Sequence, residues 1–186
     1  TPVANNDAYT AVEDTPLVVA SPGVLDNDTD PNTMGLGAIL VDHPAHGSLS
    51  LYSDGSFSYT PSANFSGTDT FTYQASDSQA DSNIATVNIN VAPVNDPPIG
   101  IDGAVSMAED TLYAFQVADF GFIDPADFPA NSLGAVRIAS LPAAGTLTVF
   151  GFPAFSGQLV PVSLIASGQM RFIPAPNAHG SPYASF

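Results

Sequence analysis

The sequence has 186 residues, 45% of them hydrophobic, with 17 Pro, 15 Gly and no Cys, and its 18 acidic residues face two basic ones, for a formal net charge of −16. That charge excludes a nucleic-acid partner, the lack of cysteine excludes disulfide staples, and no run of 18 apolar residues exists to span a membrane. A compact state carrying such a charge repels itself unless cations bind, and 16 of the 18 acids are Asp, a loop residue, so a divalent metal is the first expectation.

Along the chain, Pro2-Val3 and Asn6-Asp7 precede Ala11-Val12-Glu13-Asp14-Thr15, and the run Asp26-Asn27-Asp28-Thr29-Asp30 follows. Apolar residues then alternate with period 2: Leu49 and Leu51; Phe57 and Tyr59; Phe71, Tyr73 and Ala75; Ala85, Val87, Ile89 and Val91. The alternation predicts half-buried antiparallel strands, and Asp54-Gly55 predicts a hairpin between the first two. No segment keeps a 3.6-residue apolar period for three turns, so little or no helix is expected. The class predicted is all-β, with a first core built from Val18, Leu25, Leu49, Leu51, Phe57, Tyr59, Phe71, Tyr73, Val87, Ile89 and Val91.

The two halves of the chain resemble each other. Ala11-Val12-Glu13-Asp14-Thr15 matches Met107-Ala108-Glu109-Asp110-Thr111, and His46-Gly47-Ser48-Leu49 matches Ala144-Gly145-Thr146-Leu147. The stretch from Phe57 to Asn64 matches that from Met170 to Asn177. The same order at rising offsets means one fold twice, with about 15 residues inserted in the second copy near Phe150 to Gly168. Between the copies, Ala92-Pro93-Val94-Asn95-Asp96-Pro97-Pro98 is an extended, stiff linker, because proline fixes φ and removes donors. This places domain boundaries at residues 1–94 and 95–186.

Acidic clusters recur at corresponding places: Asn6-Asp7 with Glu13-Asp14, the run from Asp26 to Asp30, and Asn95-Asp96 with Glu109-Asp110. Calcium takes six to eight oxygens from carboxylates, amides and backbone, which clustered Asp and Asn loops supply. An EF-hand does not fit, since Pro31 stands where the loop needs Gly and Gly37 where it needs Glu.

Thr72-Tyr73-Gln74-Ala75-Ser76-Asp77, then the strand from Ala85 to Val91 and Val94-Asn95-Asp96-Pro97-Pro98, resemble the ending of bacterial cadherin-like repeats, modules of large secreted adhesins. The resemblance implies two tandem Ig- or cadherin-like antiparallel β-sandwiches, an extracellular setting, calcium as the bound ion and neighbouring repeats of the same polypeptide as partners. It also implies two ligand sets. One, at the top of the first domain, comprises Asn6, Asp7, Asp28, Asp30 and Asp77. The other, at the junction, comprises Glu13 and Asp69, linker residues Asn95 and Asp96, and Asp124 with Asp127.

Other chemistry fits poorly. His43 and His46 lie in a Pro- and Gly-rich turn with no Cys to complete a tetrahedral zinc site. Ser156 has no nucleophile elbow and no His–Asp partners, and the acids cluster with one another rather than flanking a cleft, so no enzyme is expected. The rival is a polysaccharide-binding accessory module of a secreted hydrolase, weakened by the absence of Trp but kept open by the phenylalanines of the second copy. That copy stops at Phe186, the counterpart of Phe71, so its last strands are expected to be missing from a domain that belongs to a longer protein.

Overall fold

The structure is a computed structural model and describes residues 1–31, 35–180 and 184–185. Phe186, matched above to Phe71, lies outside them. The chain forms two units: unit 1 comprises Thr1–Asp96 and Ala126–Pro129, unit 2 Pro97–Pro125 and Ala130–Phe186.

Unit 1 holds seven strands among the described residues: β1 Asp7–Val12, β2 Leu17–Val19, β3 Gly37–Asp42, β4 Gly47–Leu51, β5 Phe57–Pro61, β6 Gly67–Ser76 and β7 Ala85–Ala92. One sheet runs β1-β7-β6-β3 and the other β2-β5-β4. The inward residues of β5, β6 and β7 meet in one core, where Phe57 sits edge-on to Phe71 at 5.5 Å and to Tyr9 at 5.0 Å. Phe57, Tyr59, Phe71, Tyr73, Val87, Ile89 and Val91 are buried as expected. Each such side chain contributes roughly 1.5 to 3 kcal/mol when fully removed from water.

Two details differ from expectation. Val18 is 75% exposed rather than core. In β2 it is Leu17 and Val19 that pair with the core residues Tyr59 and Phe57, and period 2 then turns Val18 to solvent. The fold is also not wholly antiparallel, because β1 pairs parallel with β7, Asp7 opposite Val87 through Val12 opposite Ala92. A parallel pair needs a long crossover, which the five intervening strands supply.

Unit 2 contains β8 Ile99–Ile101, β9 Tyr113–Ala114, β10 Gly121–Ile123, β11 Ala135–Arg137, β12 Thr146–Val149, β13 Phe152–Pro153, β14 Leu159–Pro161, the one-turn helix α1 Val162–Ala166 and β15 Met170–Ile173. Its sheets are β13-β12-β15-β9, β11-β14 and β8-β10. The core gathers Phe115, Ile138, Leu147, Val160, Ile165, Met170 and Phe172.

The sequence matches between the halves recur in geometry. In β4–β5, Leu49 opposes Tyr59 and Leu17 of β2 flanks the other side; in β12–β15, Leu147 opposes Phe172 and Tyr113 of β9 flanks it. Asp14 and Asn64 both adopt φ 57°, with the Asn64 N–H donating to the Asp14 carboxylate at 3.1 Å. Asp110 and Asn177 repeat both the angles and the bond, at 2.8 Å. The inserted segment supplies β14, which pairs with β11, and places Val160 and Ile165 in the core of unit 2. Residues 103–108, which match β1, form no strand.

Candidate metal centre

β1 ends where its parallel pairing with β7 ends, and the Glu13 N–H donates to the carbonyl of Ala92 at 3.0 Å. The chain then turns at Asp14, whose positive φ swings it toward the other sheet. This leaves the Glu13 side chain under the linker, 2% exposed. The Val94 N–H donates to Glu13 Oε1, while Glu13 Oε2 is buried and meets no donor. A buried carboxylate oxygen without a donor costs several kcal/mol unless a cation reaches it.

Asp96 and Asp127 supply the rest. One oxygen from each of Glu13, Asp96 and Asp127 lies within 4.8 Å of the other two. The Asp96 N–H donates to Asp127 Oδ1 at 3.1 Å, fixing that carboxylate against the linker. Two oxygens bound to one calcium at about 2.4 Å cannot be more than about 4.8 Å apart, so the trio has the spacing of a shared hard cation. Asn95 is exposed and donates from Nδ2 to the carbonyl of Asp96 at 3.2 Å. In unit 2, Asp124 is 6% exposed; its Oδ2 accepts the Asn131 N–H at 2.7 Å and its Oδ1 is buried without a donor.

Asp69 is placed differently. Its two oxygens accept the N–H groups of Ala45 at 3.0 Å, His46 at 2.9 Å and Thr70 at 3.0 Å, and the Tyr59 hydroxyl at 2.8 Å. Four donors match the four acceptor positions of a carboxylate. Asp77 is buried and accepts from the N–H groups of Gln79 at 2.8 Å and Ala80 at 2.7 Å.

At the other end of unit 1, Asp7 and Asp28 converge on the Tyr73 hydroxyl, which lies 3.2 Å from Asp7 Oδ2, 3.0 Å from Asp28 Oδ2 and 2.6 Å from the carbonyl of Val24. Asn6 accepts the Thr86 N–H at 2.8 Å, Asn27 bridges to Asp7 at 3.0 Å, and Asp30 is half-buried two residues past Asp28. Tyr73 has one proton, and its shortest contact is Val24, so oxygens face oxygens around it. Burial, with Asp28 and Asp26 nearby, pushes the Asp7 carboxyl up from 3.8 to about 6, and burial also raises Asp28. Tyr73 is legible in the sequence only as a core residue; the alternation that buries it carries no sign that its hydroxyl meets these acids.

The upward shift fixes a sign. Folded Asp7 holds its proton to a higher pH than the unfolded chain, so its contribution to stability is fully present below about pH 3.8 and is lost as pH rises through about 6. In chelator, unit 1 should therefore melt at a higher temperature at pH 5 than at pH 7.5, and Asp7→Asn should flatten the difference. Parallel pH profiles for the two proteins, followed by circular dichroism, would overturn this assignment.

A seven-stranded β-domain of two sheets with oxygen-lined loops at both ends defines a β-sandwich module. Residues 1–93 match the family model for the bacterial cadherin-like domain, and the chain belongs to that family, whose members are usually non-catalytic and typically extracellular. No curated protein matches. Among solved structures, the chain is similar to an endo-fucoidan hydrolase of glycoside hydrolase family 107, at 18% identity and a TM-score of 0.41 over 94% of this chain. A variant of that hydrolase gives 17% identity and a TM-score of 0.42 over 95%. The chain spans 24% of the length of either.

Proposed function

We propose that this chain is a calcium-dependent spacer and adhesion segment of a larger extracellular protein, with unit 2 a diverged second copy of unit 1. The observation that carries the reading is the buried, donorless Glu13 Oε2 beside Asp96 and Asp127. Calcium there joins the end of β1, the linker and a segment contributed from beyond the linker, and so holds the Pro-rich stretch in one conformation. Asn6, Asp7, Asp28, Asp30 and Asp77 are the second proposed set. Neighbouring repeats of the same polypeptide would extend the array.

Extracellular calcium modules bind with Kd of roughly 0.1 to 1 mM, so calcium outside cells fills such a site. At about 2 mM calcium and a Kd of about 0.1 mM the folded state gains about 2 kcal/mol, which raises the melting temperature by about 10 °C. Glu13→Gln should abolish that gain. It should also leave the calcium-free protein as stable as the parent or more so, because an uncompensated buried charge is removed. Calorimetric titration and thermal melts of both proteins test this. No calcium uptake by the parent, or an unchanged calcium response in Glu13→Gln, would sink the reading.

A further inference from the structure

We propose that unit 2 carries a binding platform for an acidic polysaccharide, formed by Phe150, Phe152, Phe155 and Arg137. The proposal does not rest on the cation site. Phe150 and Gly151 join β12 to β13 with φ values of 58° and 80°, the two central positions of a type I′ hairpin turn. Asn, Asp or Gly occupies the first of these positions at little cost, whereas a bulky aromatic residue there is strained. Burial does not repay the strain, because Phe150 is 61% exposed. The fold therefore gives no reason for a phenylalanine at the tip, and a ligand does.

The neighbouring aromatics share this property. Phe152 is 73% exposed and Phe155 62%, although each lies on chain fixed by backbone bonds: Val149 opposes Phe152, and the Ala154 N–H donates to Leu147 at 2.9 Å. Beyond Phe155, the Gly157 N–H donates to Ile138 at 2.7 Å and Leu159, 57% exposed, opposes the exposed Arg137 in β11–β14. The stretch from Phe150 to Leu159 thus exposes three rings and an apolar side chain, and its last residue stands opposite Arg137. Aromatic rings on a rigid hairpin stack on the C–H faces of sugar rings, and a guanidinium pairs bidentately with carboxylate or sulfate.

Charge selects the class of sugar polymer. All 18 acidic residues lie at or before Asp127, and from Phe128 to Phe186 there are none, while both arginines, Arg137 and Arg171, fall in that final stretch. In a chain of net charge −16 this stretch carries a net charge of +2, so the repulsion that the rest of the chain exerts on a polyanion is weakest beside it. Uronate and sulfate-ester polymers offer the same chemistry, and the test separates them.

The full chain is run in affinity electrophoresis through gels containing polygalacturonate, dextran sulfate or neutral dextran, at constant calcium. Retardation is expected in at least one acidic gel and not in neutral dextran. The triple variant Phe150→Ala, Phe152→Ala, Phe155→Ala should bind at least about tenfold more weakly, and Arg137→Gln should weaken binding and its salt dependence. Phe150→Asn should raise the melting temperature while lowering affinity, which a purely structural residue would not do. No retardation in either acidic gel overturns the proposal. So does equal retardation of the triple variant, which would mean calcium bridging the polymer to the carboxylates, or equal retention by neutral dextran. Self-association in sedimentation velocity that the triple variant abolishes would instead assign the patch to a second copy of the chain.

Discussion

Asp69→Ala should lower the stability of unit 1 by about 3 to 5 kcal/mol, a melting shift of more than about 15 °C. The carboxylate is 3% exposed and takes three backbone N–H groups and the Tyr59 hydroxyl. Removing it leaves four donors facing a cavity, and each buried donor without an acceptor costs about 1 to 3 kcal/mol, reduced by whatever water enters. Asp69→Asn is no gentler, since its amide aims a donor at donors. The same size of loss is expected with and without calcium, because the energy lies in hydrogen bonds within the unit. Thermal melts in chelator and in calcium decide the role: a loss seen only with calcium would make Asp69 a ligand. A double-mutant cycle with Tyr59→Phe should show coupling of about 1 kcal/mol or more. Unit 2 has Phe172 where unit 1 has Tyr59, and Ala184, packed on its core, where the match between the two halves sets the partner of Asp69. Hydroxyl and carboxylate are thus absent together, as expected if each needs the other.

The core of unit 1 was legible because a half-buried strand writes its own period: β4 to β7 fall on the alternating runs, and Asp54-Gly55 sits in the turn between β4 and β5. Val18 falls outside the core, against expectation, because three apolar residues in a row carry no period, and pairing with β5 sets the phase. The parallel β1–β7 pair was illegible for the same reason: residues as far apart as Asp7 and Val87 are brought together by topology, not by local pattern. At the candidate site, residue types could be read and their states could not. The resemblance put Glu13, Asp96 and Asp127 in one set, yet the donorless Oε2 depends on the linker folding back over Glu13 so that Val94 takes only the other oxygen. Composition shows that the second copy is rich in phenylalanine but not which rings face solvent; backbone angles and exposure show that the fold leaves Phe150, Phe152 and Phe155 outside.

Gly55→Ala should be as damaging as Asp69→Ala, for a steric rather than a polar reason. From sequence, Gly55 has one duty, which is to close the β4–β5 hairpin. The structure bears that duty out: the Gly55 N–H donates to Tyr52 at 3.0 Å and the Tyr52 N–H to Ser56 at 2.9 Å, with Gly55 at φ 82° after the turn. This is a three-residue loop with its last residue left-handed. Alanine there costs about 1 to 2 kcal/mol from backbone strain alone. The greater penalty is a clash with a second turn across the unit. A Cβ on Gly55 would stand 1.9 Å from the carbonyl oxygen of Pro22 and 2.9 Å from the Leu25 side chain, and a Cβ on Gly23 would stand 2.0 Å from the Gly55 carbonyl. The two glycines let two turns press together, and the Val24 N–H donates to Gly55 at 3.0 Å through that contact. Val24 is wholly buried and its carbonyl receives the Tyr73 hydroxyl, so displacing this turn also disturbs the acids around Tyr73. Because the obstacle is backbone, no rotamer change relieves it, and overpacking adds about 1 to 3 kcal/mol. Gly55→Ala and Gly23→Ala should each lower the melting temperature of unit 1 by more than about 10 °C. Gly134→Ala, which meets nothing within 4 Å, should leave melting nearly unchanged. Melts in which Gly55→Ala behaves like Gly134→Ala would show that the two turns do not touch in solution.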